Sequence, residues 1–355
     1  MTVIDMKVIV DKNINRFEEL VSLLDDLNDI DFLHLNTEEI KNSSIRDAQI
    51  LFVRSTLKIS SDLLNNTNIK FVGSATAGFD HINTRYLENN NIDWCYSPGC
   101  NSSSVVDYVM SSIDYLIKNN LFHMDDDVGI VGYGNIGSKL SKALNAIGIS
   151  NISYDPFLNL KSLKTFDQVK KCKLISFHIP FTVDSKFPTS NIINANLLDN
   201  LENKIIINTS RGEIADETAI LDNKNLTYIS DVWRNEPCPS SKIINHSLIS
   251  TPHIAGYSYD GKMNGTINLF KELFIFLGFN DDKQKKNNNF INDFLDIKKV
   301  IDYPKNISDY SKSFDISKES LDFKILAKGH KDILPGDIFL KKRLQHLQRR
   351  DVSPN

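Results

Sequence analysis

The sequence predicts an α/β protein built on a doubly wound parallel sheet, with a second, smaller α/β domain that is discontinuous in the chain. Three observations carry this. Short apolar runs alternate with amphipathic helical stretches in two successive series. A G-x-G-x-x-G turn, Gly132 to Gly137, joins an apolar run to a helical stretch inside the second series. Two long helical stretches bracket that series, so the chain would leave the first domain and later return to it.

The first series opens with Met6-Lys7-Val8-Ile9-Val10-Asp11, a short strand ending in a turn. Helical spacing of Phe17, Leu20, Val21, Leu24 and Leu27 predicts a helix over 16–27. Strands are expected at 50–53 and 70–72, with a helix at 60–64 between them. A long helix is expected over 103–118, with Ser102, Ser103 and Ser104 as candidate N-caps. The second series reads strand 128–131, helix 135–147 and strand 152–154. Further strands are expected at 174–177, 204–208, 227–230 and 248–250, with a helix at 216–221.

Beyond Gly265 the pattern is helical to Leu277. Residues 280–289 turn to Asn, Asp and Lys and read as a linker. Residues 290–355 are poorly patterned and end in a basic stretch from Lys341-Lys342-Arg343 to Arg349-Arg350. The resulting domain expectation is 1–101 with 265–285, then 102–264, then 286–355.

Bulk properties limit the function classes. The chain has 355 residues, 41% of them hydrophobic and 24% charged, with a formal net charge of −4. That charge disfavours a nucleic-acid-binding surface, and no apolar run is long enough to cross a bilayer. The N-terminal residues lack a charged-then-apolar targeting pattern. Cys95, Cys100, Cys172 and Cys238 are scattered, as expected of reduced thiols in a cytoplasmic protein, and no metal site is expected.

Each glycine of the turn has a physical task. Gly132 allows the tight turn, Gly134 lets the backbone approach a pyrophosphate, and Gly137 lets the helix pack closely on the strand. The free N–H groups of the helix start then meet the phosphate charge. Asp155 lies about 18 residues beyond Gly137, the spacing of a ribose-binding acid. No Arg follows it closely, so NAD is expected over NADP. The bland alternative is a tight strand–helix turn without a ligand.

Three later segments end strands of the same series: Asn208-Thr209-Ser210-Arg211-Gly212, Asp231-Val232-Trp233-Arg234-Asn235-Glu236, and Thr251-Pro252-His253-Ile254-Ala255-Gly256. Taking a hydride from an alcohol carbon requires a base for the hydroxyl proton, and the imidazole of His253 suits that task. Glu236 would orient the ring, and the planar fork of Arg211 would hold a carboxylate.

With these residues the chain resembles the D-isomer-specific 2-hydroxyacid dehydrogenases over residues 6–280. The resemblance implies a Rossmann-type NAD domain inserted in a flavodoxin-like substrate domain, with Arg211, Glu236 and His253 catalytic. It is closest to a branch that acts on a phosphorylated hydroxy acid in pyridoxal phosphate biosynthesis. The segments carrying that match are 53–58, 71–82, 97–101 and 253–257. The resemblance further implies substrate contacts at Ser55, Thr76 and Tyr257. It implies an NAD site lined by Asn135, Ile136, Asp155, Thr209, Ser210, Asp231 and Gly256, with Ile179 where relatives often carry Thr. Arg54 and Lys58 are candidate phosphate ligands, the alternative being a solvated surface pair. The branch carries a C-terminal dimerisation domain, so a homodimer is expected. Two competing readings keep the fold: a related enzyme acting on 3-phosphoglycerate or hydroxypyruvate, and an NAD-sensing binding protein.

Overall fold

The computed structural model describes residues 6–199, 203–296, 300–312, 314–346 and 349–354. The chain divides into two compact units, Met1–Asn101 with Tyr259–Lys299, and Ser102–Ser258 with Val300–Asn355. Met1–Asp5, which entered the N-terminal reading, lie outside the described residues.

The first unit holds five parallel strands: β1 Lys7–Asp11, β2 Asp31–Leu35, β3 Ile50–Val53, β4 Phe71–Ser74 and β5 Asp93–Cys95, in the order β2-β1-β3-β4-β5. This is the flavodoxin-like order. The two-residue period of a strand sends Val8, Val10 and Phe52 to one face, and Ile9, Leu51 and Val53 to the other. On the first face Phe17 stacks on Phe270 with ring centroids 4.4 Å apart. That contact ties the helices Phe17–Leu23 and Tyr259–Phe276 into one core. Burying an aromatic or aliphatic side chain of this size stabilises the fold by about 1.5–3 kcal/mol.

Several expectations are corrected here. The returning helix begins at Tyr259, six residues before Gly265. The helix expected over 16–27 ends at Leu23, and Asp25–Leu27 form a 3-10 turn. Strands β2 and β5 escaped the periodicity reading because both are edge strands with partly exposed residues. The polar stretch 280–289 is not a linker. It lies in a helix, Asp281–Phe294, capped by Asn280, whose side chain accepts the Lys283 N–H. Only Asn287 and Ile291 of that helix are buried, so its composition resembles a linker.

The second unit holds six parallel strands: β6 Val128–Val131, β7 Asn151–Tyr154, β8 Leu174–Phe177, β9 Ile205–Asn208, β10 Thr227–Ser230 and β11 Ile249–Ser250. Their order is β11-β10-β9-β8-β6-β7. Strands β6, β8 and β9 are buried at every position, as expected for strands covered on both faces. The sheet is Rossmann-like and doubly wound, with one departure. The common Rossmann order places two strands outside the glycine-turn strand. Here only β7 lies outside β6 among the described residues, and a single hydrogen bond from Lys164 N–H to the Ser153 carbonyl extends that edge (2.8 Å). The strand order reverses at β6 and β8, and ligands of such sheets bind beyond the carboxyl ends at that point.

The region after residue 300 is not a third compact unit. Its helices Ser308–Lys312, Ile316–Lys328 and Gly336–Leu344 belong to the second unit. Tyr310 and Ile316 of these helices, with Phe314 between them, enter one core cluster; Phe323, Ala327 and Phe339, with Leu334 ahead of the last helix, enter the other. The last residues are pinned to the helix Ser102–Lys118: the Asp107 carboxylate accepts the Val352 and Ser353 N–H groups at 2.8 and 3.1 Å. Burial, with Asp351 beside it, pushes Asp107 up to about 7 against the pull of these donors.

Candidate active site

All six strands of the second unit are parallel, so their carboxyl ends fall on one edge of the sheet. The residues singled out in its sequence follow those ends: Gly132 after β6, Asp155 after β7, Ile179 after β8, Thr209 to Arg211 after β9, Asp231 and Glu236 after β10, and His253 after β11.

The turn after β6 is shaped to hold a dinucleotide. Gly132 has φ +93°, and a Cβ there would stand 2.2 Å from the His178 carbonyl oxygen. A Cβ on Gly137 would stand 1.9 Å from the Gly132 carbonyl oxygen, so only glycine lets the helix Asn135–Ile147 start so close to the strand. Around Gly134 the opposite holds: nothing lies within 4 Å of a Cβ position. Gly134 is the N-cap residue of that helix and has no side-chain cap. Asn135 and Ile136 open its first turn, where backbone N–H groups lack helical partners. Open space in front of such donors is what a pyrophosphate requires.

Asp155 is fixed by two backbone donors. Its Oδ2 accepts the Tyr133 N–H and its Oδ1 the Phe157 N–H, each at 3.0 Å. A carboxylate oxygen has two acceptor positions, so each can accept one further hydrogen bond. On the far side of the turn, Ile179 donates its N–H to Ser210 Oγ (3.1 Å), and Ser210 donates to the Phe177 carbonyl (2.7 Å). The Ile179 N–H is therefore already engaged within the protein. Thr209 Oγ1 lies 3.3 Å from His178 Nδ1. Burial pushes His178 down to about 3.

Arg211, Glu236 and His253 follow three neighbouring strands. Glu236 accepts the Trp233 N–H through Oε1 (2.9 Å), and its Oε2 lies 2.7 Å from His253 Nδ1. Burial raises the Glu236 pKa, but the charge and hydrogen bond of His253, the Trp233 N–H and the charge of Arg343 outweigh it, and the net shift is downward. The carboxylate thus stays ionised beside the ring. Its bond to Nδ1 leaves Nε2 as the ring nitrogen that Glu236 does not hold. Arg211 has extended backbone, and its Nη1 donates to the Ser210 carbonyl (2.8 Å).

His253 has φ 57°, a left-handed conformation uncommon for a residue with a side chain. Asp231 holds it there. The His253 N–H donates to the Asp231 carbonyl at 2.7 Å. The Asp231 carboxylate accepts the Ile254 and Ala255 N–H groups, both at 2.8 Å, and the Thr251 hydroxyl at 2.6 Å. Burial raises the Asp231 pKa despite these donors and the charge of His253. Asp231 is 1% exposed, so its carboxylate serves the His253 loop. Gly256 follows that loop, and the next residue, Tyr257, lies under the Arg343 guanidinium, 5.1 Å from the ring centroid.

Arg54, Ser55, Lys58 and Thr76 lie in the first unit. Arg54 donates from Nη1 to the Asn13 carbonyl (3.0 Å). Ser55 and Lys58 are exposed. The Thr76 hydroxyl donates to the Gly78 carbonyl (2.8 Å) and lies 2.6 Å from Ser74 Oγ, which in turn contacts His81 Nε2 at 2.9 Å. Sequence reading missed Lys262. It is half-buried on the returning helix, and burial together with the Arg54 charge lowers it to about 8. It also missed Arg343 and Arg349, because a basic stretch without periodicity gives no hint of which cations turn inward.

Residues 118–255 match the family model described as D-isomer specific 2-hydroxyacid dehydrogenase, NAD binding domain. The erythronate-4-phosphate dehydrogenase of Wigglesworthia glossinidia brevipalpis is 40% identical over 301 residues, covering 82% of this chain and 77% of that protein. This chain belongs to the erythronate-4-phosphate dehydrogenase family, within the D-isomer-specific 2-hydroxyacid dehydrogenases. The family member of Hahella chejuensis is 37% identical over 282 residues, covering 77% of this chain and 73% of that protein. The solved NAD+-bound 3-phosphoglycerate dehydrogenase of Entamoeba histolytica shares the fold, with TM-score 0.62 and 22% identity over 84% of this chain and all of that one. As a member of the erythronate-4-phosphate dehydrogenase family, the protein is an oxidoreductase that uses NAD.

Proposed function

We propose that this enzyme oxidises 4-phospho-D-erythronate to 3-hydroxy-2-oxo-4-phosphooxybutanoate, a step of pyridoxal phosphate biosynthesis. The observation that carries the reading is the Glu236–His253 pair, 2.7 Å apart on the strand-end edge that also carries the Gly132–Gly137 turn. The substrate name follows that of the relatives.

Bound NAD supplies a hydride acceptor. Gly132, Gly134, Asn135, Ile136 and Gly137 would receive its pyrophosphate, Asp155 its ribose, and the 209–211, 179 and 256 backbones its remaining surface. His253 takes the C2 hydroxyl proton on Nε2 and later releases it to solvent. Glu236, held ionised, stabilises the imidazolium as it forms. Arg211 holds the substrate carboxylate and polarises the growing carbonyl. Ser55, Thr76 and Tyr257 contact the substrate. Arg54 and Lys58 bind its phosphate, with Lys262 adding positive charge beside Arg54.

The reading extends to a cytoplasmic homodimer formed through the C-terminal segment. Leu321 and Ile325, one turn apart on one helix, and Leu340 and Leu344, one turn apart on another, are exposed. Exposed apolar pairs of this kind suit burial against a second copy. Among the described residues no helix is long and apolar enough to cross a membrane.

The deciding experiment follows NADH absorbance with 4-phospho-D-erythronate, 3-phosphoglycerate and hydroxypyruvate. The reading requires the first to give the highest kcat/KM, and a higher value for either of the others would refute it. Light scattering on the eluting protein checks the dimer.

A further inference from the structure

The C-terminal segment reaches the His253 loop through two arginines, all within the second unit. Arg343, on the helix Gly336–Leu344, donates its Nε–H to the His253 carbonyl at 3.2 Å, and its guanidinium covers the Tyr257 ring. Arg349 is buried. Its Nη2 donates to the Ala255 carbonyl at 2.6 Å and to the Ser104 carbonyl at 2.7 Å, and its guanidinium lies 4.1 Å from the Phe314 ring centroid. The His346 ring, between them in sequence, faces Tyr257 at 6.5 Å and Phe314 at 5.7 Å.

The loop is therefore gripped from both sides. Its N–H groups at 253, 254 and 255 go to Asp231, and its carbonyls at 253 and 255 go to the two arginines. A left-handed histidine persists only where its surroundings over-determine the backbone. A charged donor makes a stronger hydrogen bond to a carbonyl than a neutral one, and the arginine fork can join two carbonyls that a lysine would hold less rigidly. The segment is itself fastened: Ser103 Oγ and Lys139 Nζ donate to the Pro354 carbonyl at 2.6 and 3.1 Å.

We propose that Arg343 and Arg349 are positioning residues of the active site, and that the C-terminal segment holds the His253–Tyr257 loop in its reactive conformation. The catalytic part of this proposal rests on the assignment of His253 above, whereas the bracing of the loop does not.

The test compares Arg343→Met, Arg343→Lys and Arg349→Lys in the full-length protein, with Lys341→Ala, exposed on the same helix, as the control. Amide hydrogen exchange over 251–257 is read without substrate, alongside NAD affinity and the kcat and KM for 4-phospho-D-erythronate. Arg343→Met should speed exchange in this loop and lower kcat by about ten- to a hundredfold, the range for small misplacement of a catalytic group. NAD affinity should be retained, Arg343→Lys should recover part of the loss, and the control should match wild type. Arg343 is partly exposed, so Arg343→Met keeps the test decisive even if the variant at buried Arg349 fails to fold. Wild-type exchange in Arg343→Met, or wild-type kcat with a loosened loop, overturns the proposal. A wild-type protein inactive on this substrate counts against the functional reading alone, because exchange still reports on the brace.

Discussion

His253 Nδ1 and Glu236 Oε2 stand 2.7 Å apart, although the two residues follow different strands and are 17 positions apart in the chain. The contact sets the ring orientation and, on the proposed mechanism, would leave Nε2 to exchange a proton. His253→Ala should lower kcat by about a hundredfold or more, the usual worth of a general base. Glu236→Gln keeps the shape of the pair but removes the charge that would stabilise an imidazolium, so it should lower kcat by a smaller factor. Steady-state kinetics at fixed pH decide this, and unchanged turnover in His253→Ala refutes the assignment.

The glycine turn separates binding from folding. Gly134→Ala meets open space at φ −83°, so its melting temperature should match wild type while NAD affinity falls at least about tenfold, since the methyl occupies the pyrophosphate approach. Gly137→Ala instead forces a Cβ against the Gly132 carbonyl and should lower the melting temperature even without cofactor. Thermal unfolding and NAD titration of both variants check the contrast. Equal thermal losses would show that both glycines serve packing alone.

Asp155 should set cofactor choice. At the ribose position its carboxylate would repel a 2′-phosphate. Asp155→Ala is expected to raise the KM for NAD and narrow the preference over NADP. Comparable wild-type turnover with the two cofactors would be the contrary result.

His178 gives a pH dependence of stability. Burial holds it near 3 in the folded chain, below the unfolded value of about 6.5, so the folded state binds the proton more weakly. Its contribution is fully present above pH 6.5 and is lost as pH falls towards 3. Denaturant midpoints between pH 7 and pH 4 should therefore fall less steeply for His178→Gln than for wild type. Parallel slopes would show that His178 is not the group responsible.

Much of the second unit is legible in one dimension. Its buried parallel strands are apolar runs, so β6, β8, β9 and β10 lie within a residue or so of their expected places. The glycine turn is legible because a dinucleotide imposes backbone geometry that few residues besides glycine permit. What failed was patterning without a continuous apolar signal. Edge strands β2 and β5 are partly exposed, and the helix Asp281–Phe294 buries too little to show a stripe.

The sequence by itself determined the α/β class, the cofactor turn, and Arg211, Glu236 and His253 as candidates, since each is a local matter of residue type and spacing. Only the tertiary structure decided how these groups are held. Asp231 was read from the resemblance as lining the cofactor site, and the fold adds that its buried carboxylate accepts N–H groups of the His253 loop. Arg343 and Arg349 read only as parts of a basic stretch in a poorly patterned region, and both turn onto carbonyls of that loop. The physical reason is that hydrogen bonds to backbone groups carry no residue-type signature at the acceptor. Which carbonyl meets which cation is fixed by the path of the folded chain.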